Sequence, residues 1–273
     1  MLEEEENYEP DFNVNLVSAN NMPDGNNAST DNVSDENDAN IDNTIVLNIN
    51  EFDATNLPEN PKILTIGKRG CGKSFLTMDL IHHINDNNKI DKCIIFSPKD
   101  NLNKFYEQKI NAKCVQYEFK ECIIDNIIEN QKNTNNRDRI LIVLDDCIYS
   151  GNQFVGMNDF YLNASDNNIS FILSLQYPMG LNPVARECFN QIFLLKEDMK
   201  NNKERMYDHY GGIFPEFESF NKVFDKCTEN YGCLTLINND EEFNDFNCVA
   251  KWYKAKSTDY INIQEIDEEV LHK

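Results

Sequence analysis

No lysine or arginine occurs in the first 60 of the 273 residues, although that stretch holds fifteen aspartates and glutamates. All 25 basic residues therefore fall in 61–273, beside 32 acidic ones, so a net charge of −22 shrinks to about −7 beyond the first 60. This balance does not announce nucleic-acid binding, and it leaves room for a local basic pore. No two of the nine cysteines are spaced C-x-x-C, and neither they nor the four histidines cluster at ligand spacing. That argues against zinc and for free thiols in a reducing compartment. No apolar run is much longer than five residues, such as Ile140 to Leu144, whereas a membrane-spanning helix needs about 20. The chain opens on a run of glutamates, so no secretory signal is expected.

Residues 1–42 are rich in Asn, Asp, Glu and Ser and poor in apolar side chains. Such a stretch buries too little surface to offset its ordering entropy and is expected to be a disordered acidic tail. It is either a solvating segment or an arm that guards a DNA site or docks a partner. With 11% aromatic and 26% charged residues the remainder supports a packed core, and 43–273 is read as one folded domain.

Within that domain, Thr44–Ile49 reads as an edge strand leading in, and short apolar strands are expected at Ile63–Ile66, Cys93–Phe96, Val115–Tyr117, Ile140–Leu144, Phe171–Leu175 and Ile192–Leu195. Helical patterns cover Ser74–Asn85, Asp100–Lys109, Glu121–Gln131 and Phe217–Cys227. Leu234–Ile237 and Val249–Tyr253 read as a closing strand pair. Strands alternating with helices predict an α/β fold with a mostly parallel central sheet flanked by helices.

The stretch Ile63 to Leu80 organises the chain. After its apolar strand comes G-K-R-G-C-G-K-S, which fits G-x-x-x-x-G-K-[ST] with Gly67, Gly72, Lys73 and Ser74 in place. Strand, glycine loop and helix together form a phosphate cradle: backbone N–H groups curl around the phosphate oxygens and the helix N-terminus adds its dipole. Gly67, Lys68, Arg69, Gly70, Cys71, Gly72, Lys73, Ser74 and Phe75 form the expected ATP-binding set. Lys73 reaches the β- and γ-phosphates, and Ser74 holds Mg²⁺.

I-L-I-V-L-D-D, Ile140 to Asp146, has the form of a Walker B strand, whose carboxylates emerge at its C-terminal edge. Asp145 is expected to hold Mg²⁺ with Ser74, and Asp146 to polarise the attacking water. The interval from Lys73 to Asp145 leaves room for another strand and its helices. Gln176, at the tip of the Phe171–Leu175 strand, is placed to sense the γ-phosphate. Arg186, expected at the start of a helix, is a candidate finger for a neighbouring subunit's nucleotide or a surface ion pair. Arg205, Arg137 and Arg139 are weaker finger candidates.

G-K-R-G-C-G-K-S, I-I-F-S-P, a helix ending in Gln131, I-L-I-V-L-D-D, S-L-Q-Y-P-M-G-L-N-P-V-A-R-E and V-F-D-K-C-T-E-N-Y-G…W-Y-K-A-K occur in that order over about residues 52–256. In this the chain resembles the DNA-packaging ATPases of nucleocytoplasmic large DNA viruses, virophages and Polinton-like elements, within the FtsK–HerA superfamily. The Gln-Tyr-Pro segment and the T-E-N-Y-G and W-Y-K-A-K motifs are its most specific parts. The resemblance implies catalytic roles for Lys73, Asp145, Asp146, Gln176 and Arg186, although many superfamily members carry Glu where this chain has Asp146. It implies a homo-oligomeric ring that drives double-stranded DNA into a capsid, with capsid or capsid-vertex proteins as partners, in the host cytoplasm at the virus factory and in the virion. Lys104, Lys109 and Lys113 are pore candidates by charge alone. A translocase or helicase without a packaging role, a small-molecule kinase or GTPase, and an ATP-locked assembly scaffold remain alternatives. No N-K-x-D guanine signature is present, since Asn221-Lys222 continues Val-Phe.

Overall fold

The computed structural model describes residues 13–17, 44–147, 157–178, 181–238 and 246–271. The chain divides into two compact units, Met1–Ile49 and Asn50–Lys273. In the first, β1 (Asn13–Val17) pairs antiparallel with β2 (Thr44–Asn48), with Val14 opposite Leu47 and Leu16 opposite Ile45. The strand expected at Thr44–Ile49 is present as β2; its partner β1 was not expected, because the polar average of 1–42 hides the alternation N-V-N-L-V. The rest of the expected tail lies outside the described residues.

The second unit runs in order through β3 (Asn50–Glu51), β4 (Lys62–Ile66), α1 (Lys73–Asn88), β5 (Lys92–Phe96), α2 (Asp100–Asn103), β6 (Val115–Gln116), α3 (Glu121–Asn133) and β7 (Ile140–Asp145). Then follow α4 (Asn158–Asn163), β8 (Ile169–Leu175), α5 (Pro183–Glu187), β9 (Gln191–Leu195), α6 (Lys200–Tyr210), α7 (Phe217–Cys227), β10 (Gly232–Ile237), α8 (Phe246–Val249), β11 (Ala250–Lys254), β12 (Gln264–Glu265) and α9 (Glu268–Leu271). The sheet order is β12-β5-β7-β8-β4-β9-β10-β11-β3, with β6 also on β5. Strands β5, β7, β8, β4 and β9 are mutually parallel, and β10 pairs antiparallel with both β9 and β11. Every residue of β7 and β8 is buried, as near-continuous apolar runs in a parallel sheet covered on both faces must be.

Most expected strands and helices are present within a residue or two of their ends. The helix expected over Asp100–Lys109 is shorter. It ends at Asn103, where Lys104 turns left-handed at φ 53°. The Asp100 carboxylate accepts the backbone N–H groups of Tyr106 at 2.8 Å and Glu107 at 3.2 Å, which bends the chain back instead of continuing the helix. Arg186 lies in the last turn of α5 rather than at its start, because Pro183 occupies the first turn behind an Asn182 cap.

Candidate active site

β4 delivers the glycine loop to the C-terminal edge of the parallel strands. Gly67 leaves the strand against β9, where a Cβ would lie 2.7 Å from both Cys71 Sγ and Leu195 Cβ. Gly70 and Gly72 take φ 82° and 98°, the left-handed region that suits glycine. Gly72 is the N-cap of α1, and Leu76 N donates to its carbonyl at 2.9 Å. The Lys73 ammonium, 6% exposed, donates to the Gly67 carbonyl at 2.8 Å and to that of Lys68 at 3.2 Å. Lys68 itself is ion-paired with Asp198.

β7 brings Asp145 to the same edge. Its Oδ2 accepts from Ser74 Oγ at 2.9 Å and from Tyr106 OH at 2.9 Å. Its Oδ1 is buried with no hydrogen-bond partner. Burial and then the charge of Asp146 hold the Asp145 carboxyl above its ordinary value. Burial and then Asp145 hold the Tyr106 phenol well above its own, so Tyr106 acts as a donor. An unpaired carboxylate oxygen beside a hydroxyl is a donor set that suits a hard divalent cation.

Asp146 leaves β7 with φ 51°, a conformation Asp tolerates better than most residues, and its N–H donates to the Ser174 carbonyl of β8 at 3.1 Å. The carboxylate is gripped from three sides. Its Oδ2 is ion-paired with Lys99, accepts from Gln176 Nε2 at 3.1 Å and lies 3.8 Å from the Lys73 ammonium. Its Oδ1 is buried with no hydrogen-bond partner. Beside this cluster lies a cavity of about 460 Å³, lined by Arg69, Gly70, Lys73, Ser74, Lys99 and Asp146, among others.

Lys73, Ser74, Asp145, Asp146 and Gln176, named from the sequence, thus meet at one place, and Tyr106 and Lys99 join them. No motif marks either of them. Tyr106 arrives through the Asp100 bend, and Lys99 stands in a polar loop after β5. Arg186 is not in this cluster. It lines a separate cavity of about 270 Å³ with His209, Tyr210, Ile192 and Asn238. Ile192 is at the start of β9, so this cavity opens at the opposite edge of the sheet from the glycine loop, about a strand length of some 17 Å away. Arg186 Nη1 and the Tyr210 hydroxyl are both buried there without a hydrogen-bond partner. Burial and then the Arg186 charge lower the pKa of His209.

Four of the other basic candidates are engaged within the chain. Arg139 pairs with Glu59 at 3.2 Å, Lys104 with Glu107 at 2.8 Å and Lys113 with Glu265 at 3.1 Å, while Lys109 donates to the Thr258 carbonyl at 2.5 Å. No helix among the described residues is long and apolar enough to cross a membrane.

No protein-family model matches the chain. It is 29% identical over 221 residues to an uncharacterised protein of Acanthamoeba polyphaga mimivirus, with 76% of each chain covered. It is 28% identical over 199 residues to an uncharacterised protein of Invertebrate iridescent virus 3, covering 71% of this chain and 75% of that one. Among solved structures it is similar to the genome packaging NTPase B204 from Sulfolobus turreted icosahedral virus 2 in complex with AMP. There the TM-score is 0.55 at 14% identity, over 74% of this chain and 100% of that one. The same NTPase in complex with sulfate gives a TM-score of 0.54 at 17% identity, over 75% and 100%. The chain therefore has relatives in large DNA viruses and carries the α/β P-loop NTPase fold of these packaging enzymes.

Proposed function

We propose that the chain is an ATP-hydrolysing motor that drives double-stranded DNA into a viral capsid. The observation that carries this reading is the clustering of Lys73, Ser74, Asp145, Asp146 and Gln176 beside the glycine loop, with Lys73, Ser74 and Asp146 lining the cavity there. Relatives in large DNA viruses and a shared fold with a genome packaging NTPase support the packaging role.

ATP is the substrate, its phosphates cradled by the loop from Gly67 to Ser74 and anchored by Lys73. Ser74 Oγ and Asp145 would hold Mg²⁺, which neutralises charge on the β- and γ-oxygens when bound. The bare Asp145 Oδ1 is the observation that fits it. Asp146 takes the proton of the attacking water, and Gln176 orients that water. The Lys99 ammonium occupies Asp146 Oδ2, the oxygen that also accepts from Gln176. Lys99 therefore acts as a latch: the γ-phosphate, with the greater charge, draws Lys99 from Asp146, frees the base and gains a cation where charge spreads in the transition state. Tyr106 keeps Asp145 in position.

Arg186 stands at the far edge of the sheet, so it serves a nucleotide only if that nucleotide belongs to a neighbouring copy. A homo-oligomeric ring provides that arrangement, with DNA in its pore held by salt-sensitive backbone contacts. Capsid or capsid-vertex proteins are the partners this role requires, and the virus factory in the host cytoplasm and the virion are where it acts.

The test is ATP-dependent displacement of a third strand from a linear duplex carrying a short triplex. Displacement by the wild type and none by Lys73→Ala supports a translocating motor. ATP turnover without displacement, across salt and protein concentration, would contradict it.

A further inference from the structure

Two of the most distinctive motifs of the sequence, T-E-N-Y-G and W-Y-K-A-K, have no part in the phosphate chemistry, yet the fold brings them to its doorstep. β10 and β11 pair antiparallel with Gly232 opposite Lys254 and Cys233 opposite Tyr253, and Cys233 also pairs with Leu195 of β9. Tyr231 and Ala255, one residue beyond the Gly232–Lys254 pair, therefore leave the sheet together at the edge where the glycine loop begins. There they line a second cavity of about 330 Å³, with Phe75, Leu195, Cys233 and Lys254. Gly72, Phe75 and Tyr231 line both this cavity and the phosphate cavity, so the two adjoin.

Two large apolar side chains are left uncovered at this junction, Tyr231 at 73% exposure and Phe75 at 41%. Tyr231 is held there at a cost. It and Asn230 both sit in the left-handed region, at φ 65° and 50°, which is unfavourable for a bulky residue. Gly232 fixes the geometry, because a Cβ at that position would meet the Cys227 carbonyl oxygen at 2.3 Å. A Cβ on Gly72 would lie 3.6 Å from the Tyr231 ring, so that ring stands directly over the loop. Strained, exposed aromatic surface beside a phosphate cradle matches a planar apolar ligand that arrives attached to phosphates.

We infer that this cavity receives the base of the bound nucleotide, with Tyr231 and Phe75 as its aromatic walls and a purine as its preferred occupant. The inference rests on the nucleotide-binding part of the function proposed above and names its base subsite. A purine offers a larger face for stacking than a pyrimidine. Lys254 supplies a donor for a ring nitrogen or carbonyl at its edge. Among the described residues no carboxylate lines the cavity to accept the N–H groups that distinguish guanine, so selection is for the purine ring system rather than strictly for adenine.

The experiment is calorimetric titration of the full chain, in Mg²⁺, with ATP, CTP and inorganic tripolyphosphate. The wild type is expected to bind ATP more tightly than CTP, and CTP at about the level of tripolyphosphate. Tyr231→Ala should weaken ATP about 10- to 100-fold, the range for losing one aromatic–base stack, and leave tripolyphosphate unchanged. Tyr231→Phe should keep ATP affinity. Ala255→Trp, which fills the cavity and leaves residue 231 unaltered, should reproduce the selective loss of ATP should Tyr231→Ala fold poorly. Equal losses for ATP and tripolyphosphate, or unchanged ATP binding in both variants, would overturn the base pocket while leaving the phosphate site intact. A wild type that binds neither ligand would overturn the pocket and the nucleotide reading together.

Discussion

Tyr106→Phe removes one oxygen from the centre of the site and nothing else. Tyr106 is 1% exposed, and its hydroxyl donates at 2.9 Å to the buried Asp145 carboxylate. The phenyl ring fills the same space, so no cavity cost is added. A hydrogen bond to a charged, buried acceptor contributes about 1.5–3 kcal/mol. For a chain of this size that corresponds to a fall in Tm of roughly 3–12 °C. The bond can be assigned to its pair by a double-mutant cycle with Asp145→Asn. A neutral acceptor bonds about half as strongly, so in that background Tyr106→Phe should cost only about 0.5–1.5 kcal/mol. Urea denaturation of the four proteins without nucleotide or divalent metal measures both numbers. A loss in the wild-type background below about 0.5 kcal/mol, or equal losses in both backgrounds, would refute the claim that Tyr106 acts by holding a charged Asp145.

Three further outcomes are expected. Burial and Asp146 raise the Asp145 carboxyl, so the folded protein takes up its proton more readily than the unfolded chain. This contribution to metal-free stability is greatest at low pH and is lost as pH rises from the ordinary carboxylate value through the raised one; Asp145→Asn should remove that decline, as denaturation across pH 4–8 would show. Lys99→Met should lower kcat about 10²-fold with the KM for ATP within about 3-fold, whereas a purely structural Lys99 would leave kcat per folded molecule unchanged. Gly67→Ala forces a Cβ to within 2.7 Å of Cys71 Sγ and Leu195 Cβ; it should cost about 1–3 kcal/mol of stability and weaken ATP binding in the same titrations.

The sequence made the sheet and the centre of the site readable for the same reason. Buried parallel strands such as Ile140–Asp145 are short apolar runs, and the glycine loop and the carboxylates sit at the ends of two of them, so finding the strands finds Lys73, Ser74, Asp145 and Asp146. Gln176 follows from β8 lying between β4 and β7. What could not be read depends on the course of irregular chain. Asp100 looks like a residue of an amphipathic helix, yet its side chain captures two backbone N–H groups and so delivers Tyr106 to Asp145. Lys99 is one lysine among many until the bend after β5 sets it against Asp146. The base pocket needs the antiparallel register of β10 and β11, which no local pattern specifies. The strand Asn13–Val17 is too short to show against the polar average of its surroundings.

Steady-state ATP hydrolysis by the full chain, with and without linear duplex DNA, decides whether the proposed motor is a DNA-coupled ATPase. Lys73→Ala and Arg186→Ala belong in the same experiment. A DNA-coupled motor predicts turnover that rises with DNA and falls away as salt screens the contacts. It predicts no turnover in Lys73→Ala, and in Arg186→Ala loss of turnover with ATP still bound. Hydrolysis indifferent to DNA at every salt and protein concentration would contradict it and favour a small-molecule enzyme; ATP binding with no hydrolysis would contradict it in favour of a scaffold.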